Sequence, residues 1–487
     1  MILFMMILIP LVLVAFNLGV WSFPVRRLFL TLGGLAMFGV GIIIAMEVNR
    51  HSVVSAGGGL LRADALSAVL LLTVSSVIAA TFPYAGGYIE GLDRKQAISP
   101  REIRRFHILL SLFAFAAVLT PMLDNMGLMW GAMEGTTLSA ALLVAFYRTH
   151  EALEAAWKFL LITSLGSLIA LIGTLVFYAG AVQVAGSDVG INWSHWVTFA
   201  SHLPHSVTML GFLLILIGYG TKAGIMPMHT WMPDAYSRAP SPVCALLSGA
   251  ELSCAVYMVY RFVPLTEISL NHSFLFAILA GFGLATLIVA AVFVVVQREY
   301  KRLLAYSSME HSALMLLGVA FGGPLGLFGA LWQLMTHAVI KSAMFFGAGN
   351  VLIHYETNEM DEVKGILRRM PVTGWLWLLC VAAIVGAPPF ALFGSDLGIL
   401  GAAFLRNHWA LGGITALLLA MIYITLFYYF VRMIYGHSEA ETDANHSDAS
   451  PWSVIPMFVL VTMALIFGLA IPDGLLHLLK NAAAILQ

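Results

Sequence analysis

His337 and Lys341 stand four residues apart in the apolar run LWQLMTHAVIKSAMFFGAG. Four residues is about one helical turn, so both side chains share a helix face. Imidazole titrates near neutrality, and an ammonium taken out of water can release its proton in the same range. Two such groups form a proton-exchanging pair on one wall. The competing reading is a hydrogen-bonded histidine beside a lysine whose head reaches out to water. Other apolar runs carry similar groups. Glu134 sits in MLDNMGLMWGAMEGTTLSAALLVAF, and Lys222 in LILIGYGTKAGIMPMHTW, with His229 close behind it. Glu251 sits in ALLSGAELSCAVYMVY, Glu310 and His311 in LLAYSSMEHSALMLLGVAF, and Asp396 in VGAPPFALFGSDLGILGAAF. A charge in the middle of a membrane helix costs about 2.5–3.5 kcal/mol on insertion scales. Over six segments the cost would reach roughly 15–20 kcal/mol if nothing paired them, more than a typical net stability. The groups must therefore be paired, hydrated or neutral. A chain of them inside a bundle marks a proton or ion path, although any single one reads equally well as a paired structural group.

The elements that position these residues are membrane helices. Of 487 residues, 60% are hydrophobic and 10% charged, and the mean hydropathy is +0.92. A soluble domain carries about 25% charged residues, so a water-facing surface cannot be built over this chain. Apolar runs separated by charged loops give spans at 2–20, 28–46, 63–85, 106–122, 124–147, 157–180, 206–228, 241–263, 273–296, 303–321, 325–352, 371–393 with a continuation to 405, 409–436, and 453–470. The fold class is an all-α polytopic membrane protein of about fourteen transmembrane helices. No long alternating segment suggests a barrel. The run from Met1 to Val20 lacks a basic leader and reads as a retained first helix. The most polar stretch, Gly436 to Ser450, reads as a loop before the last helix.

Two spans hold proline where a helix should continue. Pro227 follows Lys222 by five residues, and Pro388 and Pro389 precede Asp396. Proline removes a backbone donor and clashes with the preceding turn, so both helices should break. Broken helices at membrane depth are tolerated where they are buried or line a wet cavity, and they are frequent at ion sites. Two breaks about 165 residues apart, each beside a charge, suggest two related halves.

Lysine and arginine set the topology. The loops from odd to even helices carry 17 basic residues, and the opposite side carries 5, namely Arg50, Arg62, Arg261, Arg406 and Lys480. The remaining two are Lys222 and Lys341. The odd-to-even loops are therefore expected in the cytoplasm, with both termini outside. Cys244, Cys254 and Cys380 form no CxxC pair and are too few for a four-cysteine cluster. No catalytic residue, metal site or cofactor is expected. A net charge of −1 argues against a nucleic-acid partner. The lipid bilayer is the partner that composition alone names.

The segment KAGIMPMHTWMPDAYSRAPSPVCALL resembles the seventh-to-eighth helix signature of the antiporter-like proton-translocating subunits. These occur in respiratory complex I, Mrp-type cation/proton antiporters and group 4 membrane-bound hydrogenases. KRLLAYSSMEH and LMTHAVIKSAMFFGAGNVLIH match that family's tenth- and eleventh-helix motifs, and the likeness covers roughly residues 105–435. EGTTLSAALLVAFYR and SSMEH look most like the F-type subunit of hydrogenase-4-like and formate hydrogenlyase complexes. The resemblance implies an inverted repeat of helices four to eight and nine to thirteen, with helices seven and twelve discontinuous. The corresponding units are 1–105 (helices one to three), 106–263, 273–436, and a C-terminal helix over 453–487. It further implies that Glu134 is the acidic partner on helix five, Lys222 the central lysine of helix seven, and His337 and Lys341 the pair of helix eleven. Joined to the other ionisable groups of the apolar runs, these give an expected proton path through Glu134, Lys222, His229, Glu251, Glu310, His311, His337, Lys341 and Asp396. Implied partners are other antiporter-like membrane subunits and a peripheral redox arm of hydrogenase-like large and small subunits and iron–sulfur proteins.

The sequence departs from the family at three points. Many relatives have histidine where this chain has Ser248, a second histidine at Gln333, and Lys or Glu near Asp396. Glu251, three residues after Ser248, should share its helix face; it either replaces the missing bridge or forms a structural ion pair with a neighbouring helix, the route between the halves then being incomplete. Competing functions are a complex I or Mrp-type subunit, a stand-alone sodium/proton antiporter, a membrane subunit of an inorganic-carbon uptake complex, and a haem protein ligated by His311 and His337.

Overall fold

The computed structural model describes residues 1–20, 22–96, 98–437 and 448–487. Ten residues of the polar loop expected at Gly436 to Ser450 thus lie outside the described residues. Among those described, eleven helices are long and apolar enough to cross a membrane. The first three spans are Ile2–Gly19, Phe23–His51 and Ala65–Gln96, and the next three are Pro100–Leu119, Met126–Val144 and His150–Ala185. The seventh is split into His205–Lys222 and Trp231–Arg238. The eighth runs Ser241–Ser269. Spans nine to eleven are His272–Val295, Tyr300–Phe321 and Gly323–Tyr355. The twelfth is split into Pro371–Ile384 and Ala391–Leu405, and the last two are Trp409–Tyr435 and Pro451–Leu469. The three spans beyond the eleven are the two broken ones and the eleventh, whose apolar run is diluted by Gln333, His337 and Lys341.

The expected spans fall on these helices, with several ends displaced. The third was read to stop near 85 and continues to Gln96. The fourth starts at a capping box, with the Ser99 hydroxyl accepting from the Glu102 amide and the Glu102 carboxylate accepting in return. The region 453–487 is two helices rather than one. Pro472 lacks an amide hydrogen and disfavours helix at the residue before it, and a second helix, Asp473–Ile485, starts there. A two-stranded hairpin, Val54–Ala56 with Leu61–Ala63, closes the link between spans two and three. It is too short to show as periodicity.

Ion pairs gather the odd-to-even loops at one end of the bundle. Arg27 meets Glu90 at 2.6 Å, Lys95 meets Glu356 at 2.5 Å, and Arg148 meets Glu102 at 3.1 Å. Asp234 joins Lys158 at 3.3 Å to Arg302 at 2.7 Å, and Arg432 meets Asp361 at 2.8 Å. This is the basic end. Both termini lie at the other end, where the Asn49 amide donates to the Gly474 carbonyl at 2.8 Å and Phe4 lies over Gly57 of the hairpin. An even number of crossings requires this arrangement.

One loop assignment is corrected: Lys301, expected in a loop, is fully buried at the start of the tenth span. Arg261, counted with the basic residues of the opposite side and near the end of the expected eighth span, is also buried, and span eight continues past it to Ser269. Its guanidinium makes two parallel 2.7 Å bonds to Asp64, donates to Ser67 at 2.6 Å and to the Tyr257 hydroxyl at 2.8 Å, and lies 4.5 Å from the Trp193 ring. Burial pushes the Asp64 carboxyl up, but the Arg261 guanidinium, Arg62 and the Ser67 amide outweigh it and hold the group well below the usual carboxylate range. A depressed carboxyl contributes stability above its unfolded value and loses it only as pH falls through the folded one. The pair is therefore intact at neutral pH. Arg261→Ala leaves the Asp64 charge buried without its main partner. It is expected to destabilise the protein by about 3–5 kcal/mol, read as a lowered thermal midpoint in detergent.

Candidate functional site

The sixth span is the rigid wall against which the seventh is set. Gly166, Gly173 and Gly180, seven residues apart, let the two helices approach closely; a Cβ on Gly166 would sit 2.6 Å from the Thr221 side chain. This packing fixes the end of the first half of span seven, where Lys222 is the last helical residue. Gly224 then adopts φ +72° and turns the chain out of the helix. The freed groups find partners. Trp231 Nε1 donates to Thr221 O at 2.8 Å, Ser312 Oγ to Ala223 O at 2.8 Å, and Met226 N to Thr286 Oγ1 at 3.1 Å. Side chains from spans nine and ten thus hold the break open.

The break in span twelve repeats the same backbone. Gly386 has φ +61°. Ala387 N bonds Ala382 O, Gly386 N bonds Ala383 O, and Val385 N bonds Val381 O; the same three steps join Ile225 to Gly220, Gly224 to Thr221, and Ala223 to Tyr219. In both, a proline lies three residues after the glycine. The expectation that both prolines mark breaks is met, with the glycine making the turn itself.

Lys222 is fully buried. Its ammonium lies 3.2 Å from Glu134 Oε2 and 3.2 Å from Met133 O, and it donates to the Thr137 hydroxyl. Ser164 donates to the other Glu134 oxygen at 2.6 Å. Span eight opens into a π turn over Leu247–Glu251. Such widened turns are frequent at functional sites. Here the turn separates two residues expected on one face. Ser248 points to the second half, 3.0 Å from Ser308 Oγ and 3.5 Å from His337 Nε2. Glu251 points to the first half, facing Thr136 and Thr137, with neither oxygen in hydrogen-bond geometry with a protein partner. A wide turn advances less per residue around the axis than an α-turn, so three residues no longer return to the same side.

The second half continues the line. The His337 and His311 rings pack 4.7 Å apart. Gln333 Nε2 bonds His311 Nδ1 at 2.8 Å, and Gln333 accepts from Ser395. His311 of span ten thus lies against His337 and is oriented by Gln333, one of the two positions at which the sequence lacks a family histidine. The direct ring contact leaves no space for a macrocycle between the imidazoles, so the haem reading fails on geometry. Lys341 donates to Leu304 O at 2.8 Å and is buried near Glu310. Tyr423 donates to Asp396 Oδ2 at 2.7 Å and also faces Glu310. Asp396 lies beside the Gly386 break, where a Cβ would meet its Oδ2 at 2.8 Å. His229 stands half-buried in the linker of span seven, with Nδ1 unbonded. Sequence reading missed Thr137, Ser308, Ser395 and Tyr423. Hydroxyls cost little in an apolar run and raise no flag there.

Residues 124–422 match the family described as NADH:quinone oxidoreductase/Mrp antiporter, TM. The chain is 32% identical over 436 residues to the hydrogenase-4 component F homolog of Methylacidiphilum infernorum, covering 88% of this chain and 89% of that one. Its fold is similar to a chain of the membrane-bound sulfane sulfur reductase, an archaeal respiratory membrane complex, with a TM-score of 0.84 at 22% identity over 99% and 97% of the two chains. A chain of the Mrp complex from Dietzia sp. superposes with a TM-score of 0.85 at 18% identity over 99% and 96%. A multi-pass bundle with two glycine-turned breaks and a buried lysine–carboxylate pair, matched over most of its length, belongs to the NADH:quinone oxidoreductase/Mrp antiporter transmembrane family.

Proposed function

We propose that this protein is the proton-translocating, antiporter-like subunit of a membrane-bound redox complex of the hydrogenase-4 and formate hydrogenlyase type, in a prokaryotic cell membrane with both termini on the outer face. One observation carries the reading. Buried ionisable and hydroxyl groups gather at both broken spans, Glu134, Lys222 and Thr137 at one and His337, His311, Gln333, Tyr423 and Asp396 toward the other, with Ser248 and Glu251 of span eight between them. Two five-helix units, 106–263 and 273–436, each contribute one break to that line. The ion is a proton on this reading, since the two adjoining imidazoles of His337 and His311 pass protons readily and are poor ligands for sodium.

The mechanism is electrostatic. Glu134 is the counter-charge of Lys222 at 3.2 Å. A charge change in a neighbouring subunit draws Glu134 away, and the Lys222 ammonium gives up its proton to the line. The proton passes by Thr137 and Glu251 to the His337–His311 pair, and on by Lys341 to Glu310 and Asp396. The driving redox reaction belongs to partner subunits. The likeness to a hydrogenase-4 component over nearly the whole chain supports that class of partner.

An affinity tag at the C-terminus tests both parts of this reading. Captured from its native membrane, the tagged protein is expected to bring down a nickel–iron hydrogenase-like large subunit. In intact cells the same tag, and one at the N-terminus, are expected to be reached by impermeant reagents from outside, following the 17-to-5 basic split. Capture of complex I or Mrp components instead would reassign the complex. A cytoplasmic tag would overturn the topology.

A further inference from the structure

A groove runs along the bundle between spans four and five. At the basic end it is a cavity of about 480 Å³, with Arg105 and Arg148 at its mouth and Leu109, Leu142, Phe146 and Leu153 along its walls. Leu142 and Leu153 are exposed, so this wall faces the bilayer. Leu109 and Leu142 also line a second cavity, of about 710 Å³, and the two form one continuous groove. Small residues line it there, Ala116 of span four with Gly131, Ala132 and Gly135 of span five. A Cβ on Gly131 would meet no atom within 4 Å. Glu134, which stands between the two glycines in sequence, reaches instead to Ser164 and Lys222. Beyond Gly131 the groove continues to Phe4 and Leu60 at the outer end.

The charges at the mouth do not balance. Glu102 is taken by Arg148 at 3.1 Å and by the Ser99 hydroxyl at 2.8 Å. Arg105 is exposed and makes no hydrogen bond or ion pair among the described residues. An open guanidinium presents its donors in the planar fork that phosphate oxygens accept. Basic groups between helices at the membrane surface are where anionic headgroups bind. The depth fits as well. Gly131 lies fourteen residues along the helix from Ala145, the C-cap of span five, which is about 21 Å at a rise of 1.5 Å per residue. Half of a bilayer about 40–45 Å thick, headgroups included, has that depth. The open space at Gly131 therefore stands where the acyl chain of a lipid anchored at Arg105 ends.

We propose that the groove between spans four and five holds an anionic phospholipid, with its phosphate on Arg105 and an acyl chain laid along Leu109 and Leu142 to Gly131. An apolar helix of a partner would cover the same walls but leave Arg105 without an anion. No group of the proton line takes part, so the site is independent of the translocation reading.

The test uses the assembled complex, purified in detergent and stripped of lipid, with dioleoyl phosphatidylglycerol as the probe and binding read by native mass spectrometry. The parent is expected to bind this lipid about fivefold tighter than dioleoyl phosphatidylcholine, whose choline cancels the phosphate charge. Arg105→Gln is expected to lose that preference, since one cation near the surface contributes about that factor. Arg105 has no protein partner to lose, so assembly is expected to be unchanged. Gly131→Leu places a side chain in the open end of the groove and is expected to weaken the binding of both lipids while every subunit stays bound. Equal affinity of the parent for the two lipids would overturn the proposal. So would Arg105→Gln and Gly131→Leu complexes that bind phosphatidylglycerol like the parent. Loss of a partner subunit from the Gly131→Leu complex would give the groove to a protein helix instead. Inorganic phosphate that displaces phosphatidylglycerol at equal concentration would make Arg105 a site for the free anion and not for a lipid.

Discussion

Lys222→Ala abolishes proton translocation by the reconstituted complex while the subunit still assembles. The expectation rests on where the side chain stands. It is the last residue of a helix that ends in the membrane, it is shielded from solvent, and it forms a salt bridge with Glu134 at 3.2 Å. Removing the ammonium removes the group that carries charge between the two halves, and neither Thr137 nor Ser164 can hold a net proton at neutral pH. Breaking a buried pair by deleting one member costs about 3–5 kcal/mol when the remaining charge is trapped. Glu134 escapes most of that cost, because its side chain is 18% exposed and it can take up a proton. The bundle therefore survives, and Gly166 still sets span seven against span six. A loss of more than about tenfold in translocation corresponds to more than about 1.4 kcal/mol on the limiting step. Vesicles containing the variant that build a full proton gradient would exclude Lys222 from the path.

Glu251→Gln is the second large effect expected, and it separates a relay from a structural group. Glutamine keeps the size and the hydrogen-bonding capacity of the side chain and cannot carry a proton. Both oxygens of Glu251 lack a protein partner, so the amide breaks no bond that the carboxylate makes. A merely structural role predicts a variant close to the parent. A relay predicts an assembled complex with translocation reduced by about 10²-fold, the lower range for loss of a general acid–base group. Glu251→Ala could not make this distinction, since it also opens a cavity beside Lys222. Measured uptake at the parent rate in Glu251→Gln vesicles would send the path between the halves directly from Thr137 to Ser248.

The sequence by itself determined the membrane class, the order of the spans, their common basic end and the places where two of them break. Each follows from a local property of the chain. Apolar runs of helical length have one solvent in which they are stable. Arg27, Lys95, Arg148 and their counterparts settle on one face because crossing is costly. Gly224 and Gly386, each with a proline three residues on, end the two helices that break. The ionisable residues of the line were legible for the same reason, since a charge within an apolar run conflicts with its immediate neighbours.

Only the tertiary structure decided which of those residues meet. The distance between Lys222 and Glu134 depends on the packing of three helices drawn from separate stretches of chain. The π turn that sends Glu251 to one half and Ser248 to the other leaves no mark in the spacing, because a three-residue interval reads the same in either helix. His311 meeting both His337 and Gln333 of span eleven is a contact in space with no counterpart in the order of the chain. Lys301 looked like a loop cation, and the burial of Arg261 was not legible, because a residue near a helix end has its burial set by what packs over it. The hydroxyl of Tyr423 was silent for a simpler reason. A phenol is nearly at home in an apolar run, and its partners become visible only when the helices are assembled.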